Sequence, residues 1–355
     1  MKKYIFILLS FMIIQSKVLA KDDKSENLLR LWYREPAKVW DEALPIGNGR
    51  LGAMIYGGIA KETIQYNEET LWTGQPHDYA HKDAYKHLNT IRQYLYDNNQ
   101  NKAHQLANAK FMSTPIGQQA YQPFGNILLE FPTHSAIKNY QRDLSLNDAL
   151  ATVSYQVGTV SYKREIIASA LDNAIIIHLS ASQKAALNFT VGMDCPHSNN
   201  QISVEGKQRI VVSGKANDYT RRPNYPSSKI SFESVLYIEN QDGELTTQGN
   251  QIKVSNATHV TLKLVAATSF VNYHDVSADP HQRCVSYLDQ IKGKDFSKSK
   301  KQHIEDYRQF FDRVTIDLGH SELSQRPTDK RLDSFKNDED PHMITLLYQY
   351  ARVIC

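Results

Sequence analysis

A mostly β fold is what the sequence predicts: a large antiparallel β-sandwich, then a helical linker and the first helix of a further domain. Three observations predict it. From about residue 28 to about 272 the chain is a succession of short β-branched runs separated by polar turns. That texture belongs to strands paired through hairpins and not to a parallel sheet with helical crossovers. Beyond Asp279-Pro280 the apolar residues switch to helical spacing. A last amphipathic run opens at Asp340-Pro341.

The elements follow in order. Residues 1–20 read as a cleaved signal peptide: Met1-Lys2-Lys3 is positive, Tyr4 to Ile14 is apolar except for Ser10, and Val18 and Ala20 are small where a signal peptidase reads. The apolar run is short for a bilayer span. No cysteine stands at the cleavage point for a lipid anchor. Export to the periplasm or the medium is therefore expected, with no transmembrane anchor. The stretch "ALPIGNGRLGAM", Ala43 to Met54, places glycines where a tight turn between two early strands needs φ > 0. A helical insertion is expected at about 83–111. Ala84, Leu88, Ile91 and Leu95 keep helical spacing there, and Asn98-Asn99 breaks it before a second helix, Lys102 to Lys110.

"TVSYQVGTVSYKREIIAS", Thr152 to Ser169, alternates and turns at Val157-Gly158-Thr159, which predicts a hairpin. Lys229 to Phe270 carries four more strands, with turn chemistry at Gln241-Asp242-Gly243 and Gln248-Gly249-Asn250. Residues 273–326 read as a helical linker, with Ile304, Tyr307, Phe311 and Val314 on one helix face. Residues 327–355 read as the start of a truncated domain. Asp340 is a good N-cap and Pro341 suits the first helical position. Met343, Leu346, Leu347, Tyr350 and Ile354 make an apolar stripe with nothing after it to pack against.

Composition bounds the function. A chain of 355 residues, 41% hydrophobic, can bury one large core or two smaller ones. A net charge of +3 argues against a dedicated nucleic-acid binder. The densest basic run, Lys292 to Lys301, reads as a solvated linker or helix face. The 20 tyrosines suit either strands or sugar contacts, since the ring stacks and the hydroxyl bonds. Cys195, Cys284 and Cys355 form no metal pattern. One disulfide between the first two, or lone buried thiols, are both open.

Chemistry is harder to find. Glu68 and Glu69 are adjacent, so on a strand they point to opposite faces and cannot flank one substrate. Asp41-Glu42 has the same difficulty. No GxSxG nucleophile elbow occurs. His77 and His81, beside Asp78 and Asp83, have helical metal spacing, but Pro76 and the polar context favour a loop, and no metal is expected.

Four stretches, "LWYREPAKVWDEALPIGNGRLGAMIYGG", "QYNEETLWTGQP", "YQPFGNILLEF" and "ATSFVNYHDVSADP", resemble the amino-terminal domain of glycoside hydrolase family 95, the inverting α-L-fucosidases. "HIEDYRQFFDRVTIDLG" and "PTDKRLDSFKNDEDPHMITLLYQYARVIC" resemble the family's helical linker and the start of its catalytic domain. The resemblance implies a sandwich over 28–272, a linker over 273–326 and, over 327–355, the first helix of a missing (α/α)6 barrel. It departs at Asn126, where the family more often has Asp, and at Ala351, where a glycine commonly precedes the arginine.

The family's acid and base lie on the barrel, so the resemblance carries no catalytic residue to this chain, and this fragment is expected to be inactive alone. It implies removal of terminal fucose, α-1,2-linked, from a fucosylated oligosaccharide, without metal or organic cofactor. It leaves the oligomeric state open. It also places the early turn at the face the sandwich presents to the barrel. There Arg50, Asn67, Trp72, Thr73 and His77 would wall the sugar pocket, Trp72 by stacking and Asn67 or His77 by bonding a hydroxyl. The alternative is interdomain packing, in which Arg50 pairs with an acid and Trp72 fills a core gap. A non-catalytic carbohydrate-binding or scaffold sandwich is the other functional reading.

Overall fold

The computed structural model describes residues 28–221 and 225–354. The signal-peptide reading of residues 1–20 and the reading of Cys355 fall outside the described residues. Sixteen strands among those residues form two sheets, antiparallel throughout. They are β1 (Arg30–Tyr33), β2 (Leu44–Gly47), β3 (Leu51–Ile55), β4 (Lys61–Glu68), β5 (Gly125–Glu130), β6 (Ile137–Ser145), β7 (Leu150–Val157) and β8 (Val160–Ser169). There follow β9 (Ala174–Ala181), β10 (Leu187–Asp194), β11 (Asn199–Glu205), β12 (Arg209–Lys215), β13 (Ser231–Asn240), β14 (Glu244–Gln248), β15 (Gln251–Ala257) and β16 (His259–Thr268). One sheet has the order β1-β6-β7-β8-β9-β16-β13-β12-β11, the other β14-β15-β10-β5-β4-β3-β2. The 152–169 hairpin forms, with Val157 paired to Val160 across the turn.

Alternation puts the core between the sheets. On β4, Ile64 and Tyr66 point inward and are fully buried, while Gln65 and Asn67 stand on the outer face. Ile127, Leu129, Phe189, Ile177 and Leu264 meet them in one cluster. β16 breaks the alternation: it is buried on both faces almost throughout. The cause is α3 (Pro280–Ile291), whose Cys284, Leu288 and Ile291 cover Ile176, Val235 and Val265 on the outer face of the larger sheet. Each such side chain contributes about 1.5–3 kcal/mol when fully buried. Asp279 caps this helix, its side chain accepting from the backbone N–H of His281 and Gln282.

Several local expectations are corrected. Helices α1 (Ala84–Tyr96) and α2 (Gln100–Lys110) lie against each other, and α1 buries none of its residues; Leu95 is 51% exposed. Its periodicity reports a helix and not a core face. On α4 (Phe296–Phe311) the inward side is Phe296, Ser299, His303 and Phe311, while Val314 lies past the helix end and is exposed. The basic run is not merely solvated: Lys294 Nζ reaches Asp172 Oδ1 at 2.5 Å and Lys300 Nζ reaches Glu165 Oε1 at 2.6 Å. Cys195 and Cys284 are both free thiols, and Cys284 Sγ donates to the Glu233 carbonyl.

After a short helix α5 (Thr328–Ser334) comes α6 (Pro341–Ile354). Its apolar side is not bare: Met343 and Leu346 are buried in the sandwich core, and Tyr350 and Val353 pack against it. Leu347 is 63% exposed, because the face meeting β2 recurs at 343, 346, 350 and 353. Asp340 gives its carboxylate to Arg331, which reaches its two oxygens at 2.7 and 3.0 Å.

A pH response follows from the interior. Arg164 donates to the Tyr155 hydroxyl at 2.9 Å, which leaves that hydroxyl's proton for His134 Nδ1 at 2.8 Å. His134 is thereby held neutral, and burial together with the Arg164 charge pushes it down to about 4. Below about 6.5 the unfolded chain takes up a proton that the folded chain refuses. Stability should therefore fall as the pH drops from about 6.5 toward 4, by about 1–2 kcal/mol between pH 7 and 5 from this group. His134→Phe should show a shallower fall in melting temperature over that interval. Equal slopes would show that His134 is not the group responsible.

Candidate functional site

The early turn is built as its residues require. Asn48 Oδ1 accepts from the backbone N–H of Arg50 at 3.0 Å and of Leu51 at 2.7 Å. Gly49 takes φ +86°, a conformation costly to any residue with a Cβ. Asn48 Nδ2 ties the turn to the Ser169 carbonyl of the opposite sheet. Arg50 follows it across. Nη1 donates to the Ala266 carbonyl at 2.7 Å, Nη2 to the Asn173 carbonyl at 3.0 Å, and the guanidinium lies over the Tyr287 ring. Glu68 Oε1 stands 3.6 Å from Nη1. The arginine thus does pair with an acid and clamps one sheet to the other.

Glu68 and Glu69 point to opposite sides. Glu68 is buried, and burial raises its carboxyl above the ordinary range, opposed by hydrogen bonds from Thr70 and by Arg50. Glu69 is exposed on the outer surface. There it borders two adjoining concavities: one of about 820 Å³, which Trp72, Thr73 and His77 also line, and one of about 310 Å³, which Arg50 and Asn67 also line. The ring pair Trp72–Tyr121, with centroids 5.4 Å apart, adjoins both, since Trp72 lines the larger and Tyr121 the smaller. The five candidate residues are thus divided between neighbouring hollows, with Glu69 common to both.

Their states differ. Trp72 does not fill a core gap: it is 39% exposed, its Nε1 donating to the Glu69 carbonyl at 2.9 Å. Thr73 is buried, with its hydroxyl donating to Gln119 Oε1 at 2.8 Å and accepting from the Ala120 N–H at 2.9 Å. Asn67 Oδ1 accepts from the Phe124 N–H at 3.0 Å. His77 Nε2 bonds the Thr114 carbonyl at 2.7 Å and its ring stands edge-on to Tyr79. It lies in an irregular stretch, so His77 and His81 do not share a helix face. Asn126 spends its amide on Asp194 Oδ1 at 2.7 Å. An Asp at 126 would put two carboxylates there.

Sequence reasoning set Glu69 aside as half of a catalytic pair, and missed Tyr79, Gln119, Phe270 and Tyr273 in the larger cleft. Phe270 and Tyr273 sit inside "ATSFVNYHDVSADP", and Gln119 lies two residues before "YQPFGN". The stretches were visible; their convergence was not.

The model of the glycosyl hydrolase family 65 N-terminal domain matches residues 31–273, and that of the glycosyl hydrolase family 95 catalytic domain matches residues 295–355. The chain belongs to glycoside hydrolase family 95. It holds that family's amino-terminal domain and the start of its catalytic domain. Alpha-L-fucosidase 2 from Arabidopsis thaliana is 33% identical over 352 residues, covering 92% of this chain and 41% of the relative. Probable alpha-fucosidase A from Aspergillus niger is 25% identical, covering 88% of this chain and 40% of the relative. The family 95 chain thus spans about 40% of the length of these curated relatives. Among its described residues, no helix is long and apolar enough to cross a membrane.

Proposed function

We propose that this chain is the amino-terminal portion of an exported α-L-fucosidase-type glycoside hydrolase, which removes terminal, α-1,2-linked fucose from fucosylated glycans. The observation that carries the reading is the likeness to Alpha-L-fucosidase 2 over 92% of the chain. Export rests on the signal-peptide character of residues 1–20. In this reading the outer surface around Trp72 walls the sugar site, with Trp72 stacking and Asn67 and His77 offering hydrogen bonds.

The lining of the cleft bears on the chemistry. Inverting hydrolysis places two carboxyl groups about 6.5–9.5 Å apart on opposite faces of the sugar, and needs no cofactor. Among the described residues, the two hollows together offer one carboxylate, Glu69. A wall that binds, and not a centre that cleaves, is the role this favours. The purified chain is expected to release no fucose from 2′-fucosyllactose. Release above a heat-killed control would place a complete acid–base pair in this chain and overturn that role. The exposed Trp40 and Trp72 rings also suit a non-catalytic carbohydrate-binding protein. Sugar binding without any catalytic partner chain in the source would favour that second reading.

A further inference from the structure

Among the described residues the two open sheets end in four edge strands, β1 and β11 on the larger sheet and β14 and β2 on the smaller. An edge strand carries unpaired backbone N–H and C=O groups, a template for a further strand unless it is blunted. Three of the four are blunted. At β1, four residues long, the Trp32 N–H is taken by Thr328 Oγ1 at 2.9 Å, and α5 lies against the strand. At β2, Pro45 removes a donor and α6 packs alongside. β14 is five residues long and opens on Glu244.

β11 is left open. It is the longest of the four, and its seven residues, Asn199-Asn200-Gln201-Ile202-Ser203-Val204-Glu205, include no proline and no lysine. All seven keep register with β12 without a bulge. Ile202 and Val204 face the core yet are only half-buried, while Asn199, Asn200, Gln201 and Glu205 are exposed.

The strand is complementary to itself. Antiparallel pairing about a two-fold axis through Ile202 matches all seven residues. On the inner face Ile202 meets Ile202 of the second copy, and Val204 meets its Asn200. On the outer face Gln201 meets Ser203 of the second copy, and Glu205 meets its Asn199. Within one chain Asn199 is the cross-strand neighbour of Lys215, and Glu205 that of Arg209. The row across the join therefore runs Arg209, Glu205, then Asn199 and Lys215 of the second copy. Alone, Glu205 holds Arg209 loosely, at 4.0 Å. Paired, it stands between two cations, since two strand spacings, about 10 Å, are within reach of a glutamate and a lysine. Moving the axis by one residue breaks that row and leaves two residues of each strand unpaired.

We propose that β11 is a self-association surface, on which a second copy of this chain adds its own β11 antiparallel and joins the two nine-stranded sheets into one. One strand edge buries less than a standard interface, so the pair is a reversible dimer set by concentration and not an obligate one.

Sedimentation velocity of the purified chain, over about a hundredfold range of concentration reaching the high micromolar, tests this. The chain should pass from monomer to dimer as its concentration rises. Ile202→Lys sets two like charges on the axis, and Glu205→Lys sets a cation against Lys215 of the second copy; each should weaken the dimer about tenfold. Combining Glu205→Lys with Lys215→Glu restores an opposed pair and should recover most of the association. Should Ile202→Lys fail to fold, Glu205 and Lys215, both exposed, carry the test alone. A monomer at every concentration would overturn the proposal. A dimer that these variants leave unchanged would overturn it too, because another surface would then hold the copies together.

Discussion

Arg164→Leu is expected to cost about 3–5 kcal/mol of stability, a large share of the roughly 5–15 kcal/mol by which folded proteins are ordinarily stable. Arg164 projects from β8 of one sheet into the core and is 2% exposed; its partner Glu62, on β4 of the other sheet, is fully buried. Nη1 lies 2.6 Å from Glu62 Oε2 and also donates to the Gly58 carbonyl, while Nη2 reaches the Ile59 carbonyl and the Tyr155 hydroxyl. The guanidinium stacks on Phe131, with its carbon 4.6 Å from the ring centroid. Glu62 in turn receives the N–H groups of Gly57 and Gly58. Removing the arginine strands a carboxylate and two carbonyls away from water, which accounts for the size of the loss. Urea denaturation measures it. The double variant Glu62→Leu/Arg164→Leu should recover a substantial part, because an apolar pair leaves no buried charge. A single-variant loss under about 1 kcal/mol would refute the account.

Lys263→Met should act more locally, at about 2–4 kcal/mol. Lys263 stands on the helix-covered face of β16 with its side chain fully buried. Its three N–H groups go to Glu239 Oε2 at 2.6 Å and to the carbonyls of Ile291 and Lys294, each at 2.8 Å. Ile291 ends α3, so the lysine serves as a cationic cap set into the sheet below the helix. Methionine fills the volume and supplies none of those bonds. Hydrogen exchange should then quicken in residues 280–311 while the strands of the smaller sheet keep their protection. Uniform acceleration across both sheets would mean that the lysine supports the whole sandwich and not the helical layer.

Both arginine and lysine show what local pattern omits. In sequence, Arg164 is one cation within a ten-residue strand, and its acid lies 102 positions earlier. Lys263 reads as a polar position in an alternating strand, and only a helix arriving from residue 280 buries it. The carbonyls that Arg50 reaches sit at 173 and 266, far from the turn in sequence. The apolar periodicity of α1 was genuine, yet it could not say that the face would lie against α2 and the surface. The cleft draws residues from 69–79, 113–119, 230 and 270–276, and no spacing rule joins stretches so far apart.

Whatever depends on neighbours along the chain is legible from the residues alone. Strands alternate, Gly49 and Gly158 turn, and Asp279-Pro280 opens a helix, because φ/ψ preference, side-chain alternation and capping act over a few residues. The ordered stretches also carried the family. Which cations are buried, and that α6 packs on β2, are settled by the folded arrangement. Those outcomes turn on burial and on the register of one sheet against the other. They follow from long-range packing, in which a residue's partner is chosen by the fold and not by its distance in sequence.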